Sequence, residues 1–298
     1  MPKSHRTAAG RCFLWRRVLA ATCLATLIGA STACSEEPSA AEQAAASDME
    51  NLAAALTTLG PRAASCSSAP PAGLSAEGLA LLAAHAPAWS SAVHAANPDL
   101  GANGSADAVA ASNCEPAELR RGLARVRALS VRLAGSSGDA VLVSLTRASA
   151  VDEVILFDTP VREDLPTIED LASLDAAQLA DLALAEDQAG FVGEFLAANV
   201  PDADLQEQLS AAAVLHRDRG QALATLAAGD DPRRAAYQQG ERPADRQGAA
   251  DRWGQVELAL ASHYAALPMS SGADRMVTWQ LLEAASWGAP LPALPFLD

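Results

Sequence analysis

His216 stands on a helical line, Leu209, Ala213, His216, Gly220, Leu223, that is otherwise apolar or small. Three glutamates stand on comparable lines. Glu186 lies among Leu179, Leu182, Ala189 and Gly193, Glu257 among Trp253, Leu260 and Tyr264, and Glu283 follows Met276 and Trp279. Each of four consecutive helical stretches thus carries one polar candidate near its middle. A buried carboxylate is costly unless it is paired, hydrogen-bonded or bound to a metal. Three carboxylates with one imidazole would suit iron or manganese.

The full di-metal pattern of a helical bundle is stricter. It places Glu on two helices and Glu-x-x-His on the other two. Here Ala213 stands three residues before His216, and Ser286 stands three residues after Glu283, so a ligand is missing at each position. That argues against a standard di-iron centre. Two readings remain. One is a single iron or manganese held by His216 and two of the carboxylates. The other needs no cofactor: a buried polar network with His216 bonded to a glutamate and Arg217 and Arg219 pointing outward. The cost of leaving such groups unpaired favours the second. In the first half, His85 and Trp89 share one helical face without a matching carboxylate set, so His85 reads as a satisfied core or rim histidine. His94 and His263 join no constellation. No Gly-rich phosphate loop, zinc spacing or nucleophile motif is present.

These residues need elements to hold them, and the composition points to helices. Half of the 298 residues are hydrophobic but only 4% are aromatic, with Ala and Leu dominant. Such a chain favours helices packed through small side chains. Periodicity predicts an all-α fold of two tandem four-helix bundles. The amino-terminal bundle is expected over 48–157, with helices at Asp48–Leu59, from the Ser75 cap, at Glu115–Leu133 and at Asp139–Phe157. Gly60-Pro61 should end the first helix, and a loop should carry Cys66. After a linker over 158–174, a second bundle is expected over 175–298. Its helices are Asp175–Asn199, Asp202–Ala228, Ala249–Leu267 and Arg275–Trp287. The tail "GAPLPALPFLD" should lie over the surface.

Residues 1–33 read as an export signal: five basic residues, then the apolar run "VLAATCLATLIGASTA" before Cys34. "STAC" approximates a lipobox, although Ser31 stands where leucine is usual. It predicts acylation of Cys34 and a tether over 34–47 that holds the protein to the extracytoplasmic face of a cell membrane. Ordinary cleavage and secretion is the alternative. Arg16-Arg17 leaves twin-arginine and general export both open. Removing the five basic residues before Cys34 from the 21 Lys and Arg leaves 16 against 36 acids, a net charge of −20. A surface this acidic repels phosphate backbones, which excludes nucleic acid as a partner.

Cys12 and Cys23 belong to the signal, so a Cys66–Cys114 disulfide follows from the count in an oxidising compartment. In a simple up-down bundle those two points would lie at opposite ends. A crossover between the second and third helices brings them together. The roughly 17-residue segment before Cys114 reaches about 55 Å when extended. A helix of about 22 residues spans only about 33 Å.

The stretches "LALAEDQAGFVGEFLAA", "HRDRGQALATL", "AAY", "VELALASHYAAL" and "DRMVTWQLLEAASWG" with the Pro-rich tail resemble ferritin-like domain-of-unknown-function family 4439. The resemblance covers about Leu179 to Asp298. Glu186, His216, Arg217, Leu223, Tyr237, Glu257 and Trp287 match its pattern, while Asp187 stands where a histidine is often found. The resemblance implies a ferritin-like bundle with a long crossover between its second and third helices, in an exported lipoprotein. It implies no established reaction. The expected function is therefore a binding or structural module, with an iron or manganese protein of oxidase or peroxide type as the alternative.

Overall fold

In the computed structural model, residues 38–100, 114–158, 167–229, 231–238 and 240–297 are described. The signal, the lipobox and Cys34 lie outside them. The fold is all-α. Its helices are α1 (Ala40–Ser67), α2 (Ala76–Ala96), α3 (Pro116–Ser137), α4 (Ala140–Phe157), α5 (Ala176–Asn199), α6 (Ala203–Ala227), α7 (Arg246–Ala265) and α8 (Ser271–Ser286). A short 3₁₀ helix, Ile168–Leu171, precedes α5. Among the described residues there is no strand, and no helix is long and apolar enough to cross a membrane.

Caps explain most helix starts. Side chains of Ser75, Asp139, Asp175, Asp202, Asp245 and Ser270 each accept from a backbone N–H in the first turn. Asp175 and Gln178 form a reciprocal capping box. α3 stops at Gly138, which takes a left-handed φ of 64°.

α1 departs from expectation at both ends. It begins at Ala40, so residues 40–47 of the expected tether are helical. The run "AAEQAAAS" has strong helix propensity, and Glu42 favours the first turn. The helix also continues through Pro61, and Cys66 lies buried in its last turns rather than in a loop. The apolar line Leu52, Leu56, Leu59, Ala63, Cys66 keeps helical spacing across the proline. Burying that line offsets the one backbone bond that Pro61 removes.

α1 to α4 form one four-helix group and α5 to α8 a second, within a single compact unit, Ala40–Asp298. In the first group α1 and α3 run antiparallel. Arg132 bonds Asp48 at 3.0 Å near one end, and Arg62 faces Glu118 at 3.5 Å towards the other. The Cys66–Cys114 disulfide ties the end of α1 to the segment entering α3, with a Cα–Cα separation of 5.4 Å. α2 therefore ends at the opposite end of the group from the start of α3, as the crossover reading requires.

The second group repeats this path. One core layer gathers Leu179 and Leu182 at the start of α5, Leu223 and Ala227 at the end of α6, and Leu260 and Tyr264 at the end of α7. The opposite layer gathers Leu196 and Val200, Leu205 and Leu209, and Ala249 and Trp253. So α6 finishes at one end and α7 starts at the other. Arg246 at the start of α7 meets Asp202 at the start of α6, at 2.5 Å. The segment between them runs back along the group.

Candidate functional site

The second group brings three of the four predicted residues together. α5 and α6 approach closely because glycines line their contact. A Cβ on Gly190 would lie 2.9 Å from the Ala213 carbonyl, and one on Gly193 would lie 2.9 Å from the Ala213 Cβ. That approach sets Glu186 against His216. The His216 Nδ1 faces Glu186 Oε2 at 2.6 Å, and its Nε2 faces Glu257 Oε1 at 3.2 Å. Tyr264 donates its hydroxyl to Glu186 Oε1 at 2.5 Å. Glu186, His216, Glu257 and Tyr264 are at most 1% exposed.

With an acceptor at each ring nitrogen, the imidazole donates from both only when it carries both protons. Burial opposes that charge, but Glu186 and then Glu257 outweigh it and push the His216 pKa up to about 9. Burial, together with Glu186, holds the Tyr264 hydroxyl well above its ordinary range. Trp253 sets its ring edge-on to the imidazole at 5.4 Å.

The remaining expectations fare differently. Glu283 is half-buried on α8 and is not one of the two groups bonded to the His216 ring. Arg219 does not point outward. It is buried, with its guanidinium 4.1 Å above the Trp279 ring. Arg217 does face the surface side, bonding Asp187 at 2.6 Å and Glu194 at 3.1 and 2.9 Å. Asp187 also accepts from the Tyr237 hydroxyl at 2.6 Å. This side of α5 is therefore a clamp that pins the crossover at Tyr237.

As it stands, the donor set does not fit a single iron or manganese. The two carboxylates lie against different nitrogens of the ring, so one ion cannot take both carboxylates and one ring nitrogen unless the imidazole turns. Among the described residues, no cluster of three or more His, Cys, Asp and Glu is arranged to hold a metal ion. Ala213, where a further glutamate would sit in the di-metal pattern, lies at a close-packed point between α5 and α6, against Gly190 and Gly193. Among the described residues of this group, five buried polar atoms, Glu257 Oε2, Arg219 Nη1, Trp253 Nε1 and both the nitrogen and the oxygen of the Gln280 amide, have no hydrogen-bond partner within the chain.

The first group holds a pair that the sequence reading missed. His85 Nδ1 faces both Asp152 oxygens at 3.1 Å, and both residues are buried. Burial pushes the Asp152 carboxyl up, and His85 only partly offsets it. The available signal was Asp152 on the α4 line Leu145, Ala148, Asp152, Leu156. His94 bonds the Ser90 carbonyl of its own helix at 2.8 Å, and His263 is exposed. No family model, curated protein or solved structure matches this chain.

Proposed function

We propose that this chain is an exported, lipid-anchored helical-bundle protein that serves as a binding or structural module. It would be a member of ferritin-like family 4439, held to the extracytoplasmic face of a membrane through acylated Cys34. The observation that supports a module over an enzyme is the enclosure of His216. Both its nitrogens are taken by carboxylates, and Glu186, His216, Glu257 and Tyr264 are all closed off from solvent. A group so enclosed offers no lone pair to a substrate or an ion.

The test is elemental analysis of protein purified from its native host. The module reading expects metal-free protein whose melting temperature is unchanged by chelators. Stoichiometric iron or manganese that disappears in His216→Ala would replace it with the metalloprotein reading. The uncoordinated Glu257 Oε2 is the observation that keeps that second reading testable. The anchor is tested separately, by mass spectrometry of the mature amino terminus and by release of Cys34→Ser into the medium.

A further inference from the structure

The tail after α8 carries prolines at 290, 292 and 295. It leaves α8 through Gly288, whose φ of 81° is left-handed, and reaches the groove between α2 and α4. Three side chains there take its main-chain oxygens. The His85 Nε2 donates to the Leu291 carbonyl at 3.3 Å, the Trp89 indole N–H to the Ala293 carbonyl, and the Ser144 hydroxyl to the Pro295 carbonyl at 2.7 Å. All three residues are at least nine-tenths buried. Asp152 holds the other nitrogen of His85 and so aims Nε2 at the tail.

This seat presents donors. A proline-rich segment is its chemical complement, because proline supplies a carbonyl and no N–H, so few donors go unsatisfied when it docks. Proline-rich segments dock in aromatic-lined grooves for this reason and because they have little conformational freedom to lose. Trp89 supplies the aromatic donor here. All three bonds are to main-chain oxygens, so the seat reads the carbonyl pattern rather than one side-chain sequence. The tail belongs to no helix, so it can leave without unfolding one.

We propose that the α2–α4 groove is a recognition site for proline-rich peptide, filled at rest by the chain's own tail, and that its external ligand is a proline-rich, apolar segment of another protein. The site is separate from the His216 network and independent of export or of the fate of Cys34.

The probe is a fluorescent peptide of residues 289–297, followed by anisotropy. Leu291→Asp with Leu294→Asp unseats the tail in the full chain and leaves the donors intact. That variant should bind the peptide at least tenfold more tightly than the unchanged protein, whose own tail competes. Adding Trp89→Phe should weaken binding about fivefold, the loss expected for one hydrogen bond. A peptide with alanine at positions 292 and 295 should bind more weakly. A folded double variant that fails to bind, or equal binding of the alanine peptide, overturns the proposal. A stable dimer that the peptide dissolves would assign the groove to exchange of tails between copies, and also overturns it. If the double variant loses its helices, a fluorophore at the carboxyl terminus of the otherwise unchanged protein reads the same exchange. Excess unlabelled peptide must then lower its anisotropy, and no change overturns the proposal.

Discussion

At the scale of one residue, His216 is a buried cation matched to two buried anions. Its folded pKa of about 9 lies above the ordinary value of 6.5, so the folded protein holds a proton that the unfolded chain releases between those values. The stability this supplies is complete below about pH 6.5 and is lost as pH rises through about 9, with a slope of at most about 1.4 kcal/mol per pH unit. We predict that denaturant midpoints of the unchanged protein fall across that window, while those of His216→Gln stay nearly flat. A wild-type midpoint independent of pH from 6.5 to 9 would contradict the paired imidazolium. At lower pH, His216→Ala strands two facing carboxylates and should cost about 3–5 kcal/mol.

At the scale of the elements, Ala213 shows why one glutamate of the di-metal pattern is missing. α5 presents Gly193 to α6 there, and even a Cβ on that glycine would meet Ala213 at 2.9 Å. Ala213→Glu should therefore force α5 and α6 apart and cost at least about 1–3 kcal/mol, without creating metal affinity. A variant of wild-type stability that binds iron would refute the packing argument. The disulfide belongs to this scale as well. It closes a 48-residue separation, and removing it with Cys66→Ala and Cys114→Ala should lower stability by about 4 kcal/mol in a chemical melt. Helical periodicity made legible the α2 face and the mid-helix positions of Glu186, His216 and Glu257, while the cysteine count and the connection lengths made the crossovers legible. Other features were not legible, because they depend on what lies opposite. Glu283 shares the helical pattern of the other three but is not one of the two carboxylates bonded to the His216 ring. Arg219 was expected to point outward, yet it finds the Trp279 face buried beside it. Gly60-Pro61 is a stop signal in the sequence, although the core beyond it rewards continuing the helix.

At the scale of the whole molecule, two groups with separate cores are joined by α4. Leu142, Leu145 and Leu156 of α4 pack in the first core, while Val151 packs in the second. A helix apolar on more than one side can satisfy both only if both groups are present. Arg147 reinforces the joint from within α4. It bonds Asp274 of α8 at 3.0 Å and the Ala265 carbonyl at the end of α7 at 3.1 Å, and it is buried. The tail crosses the same seam, with Leu291 against the second core and Leu294 against the first. We therefore predict one cooperative unfolding transition for both groups, with equal calorimetric and van't Hoff enthalpies. Arg147→Ala removes the charge partner of half-buried Asp274 and leaves the Ala265 carbonyl without that donor, at a cost of about 2 kcal/mol. Because the loss falls at the joint, it should also uncouple the groups, so that hydrogen exchange of α2 and α6 core amides, equal in the unchanged protein, separates in the variant. Unequal exchange in the unchanged protein would show instead that the two groups fold independently and only touch through α4.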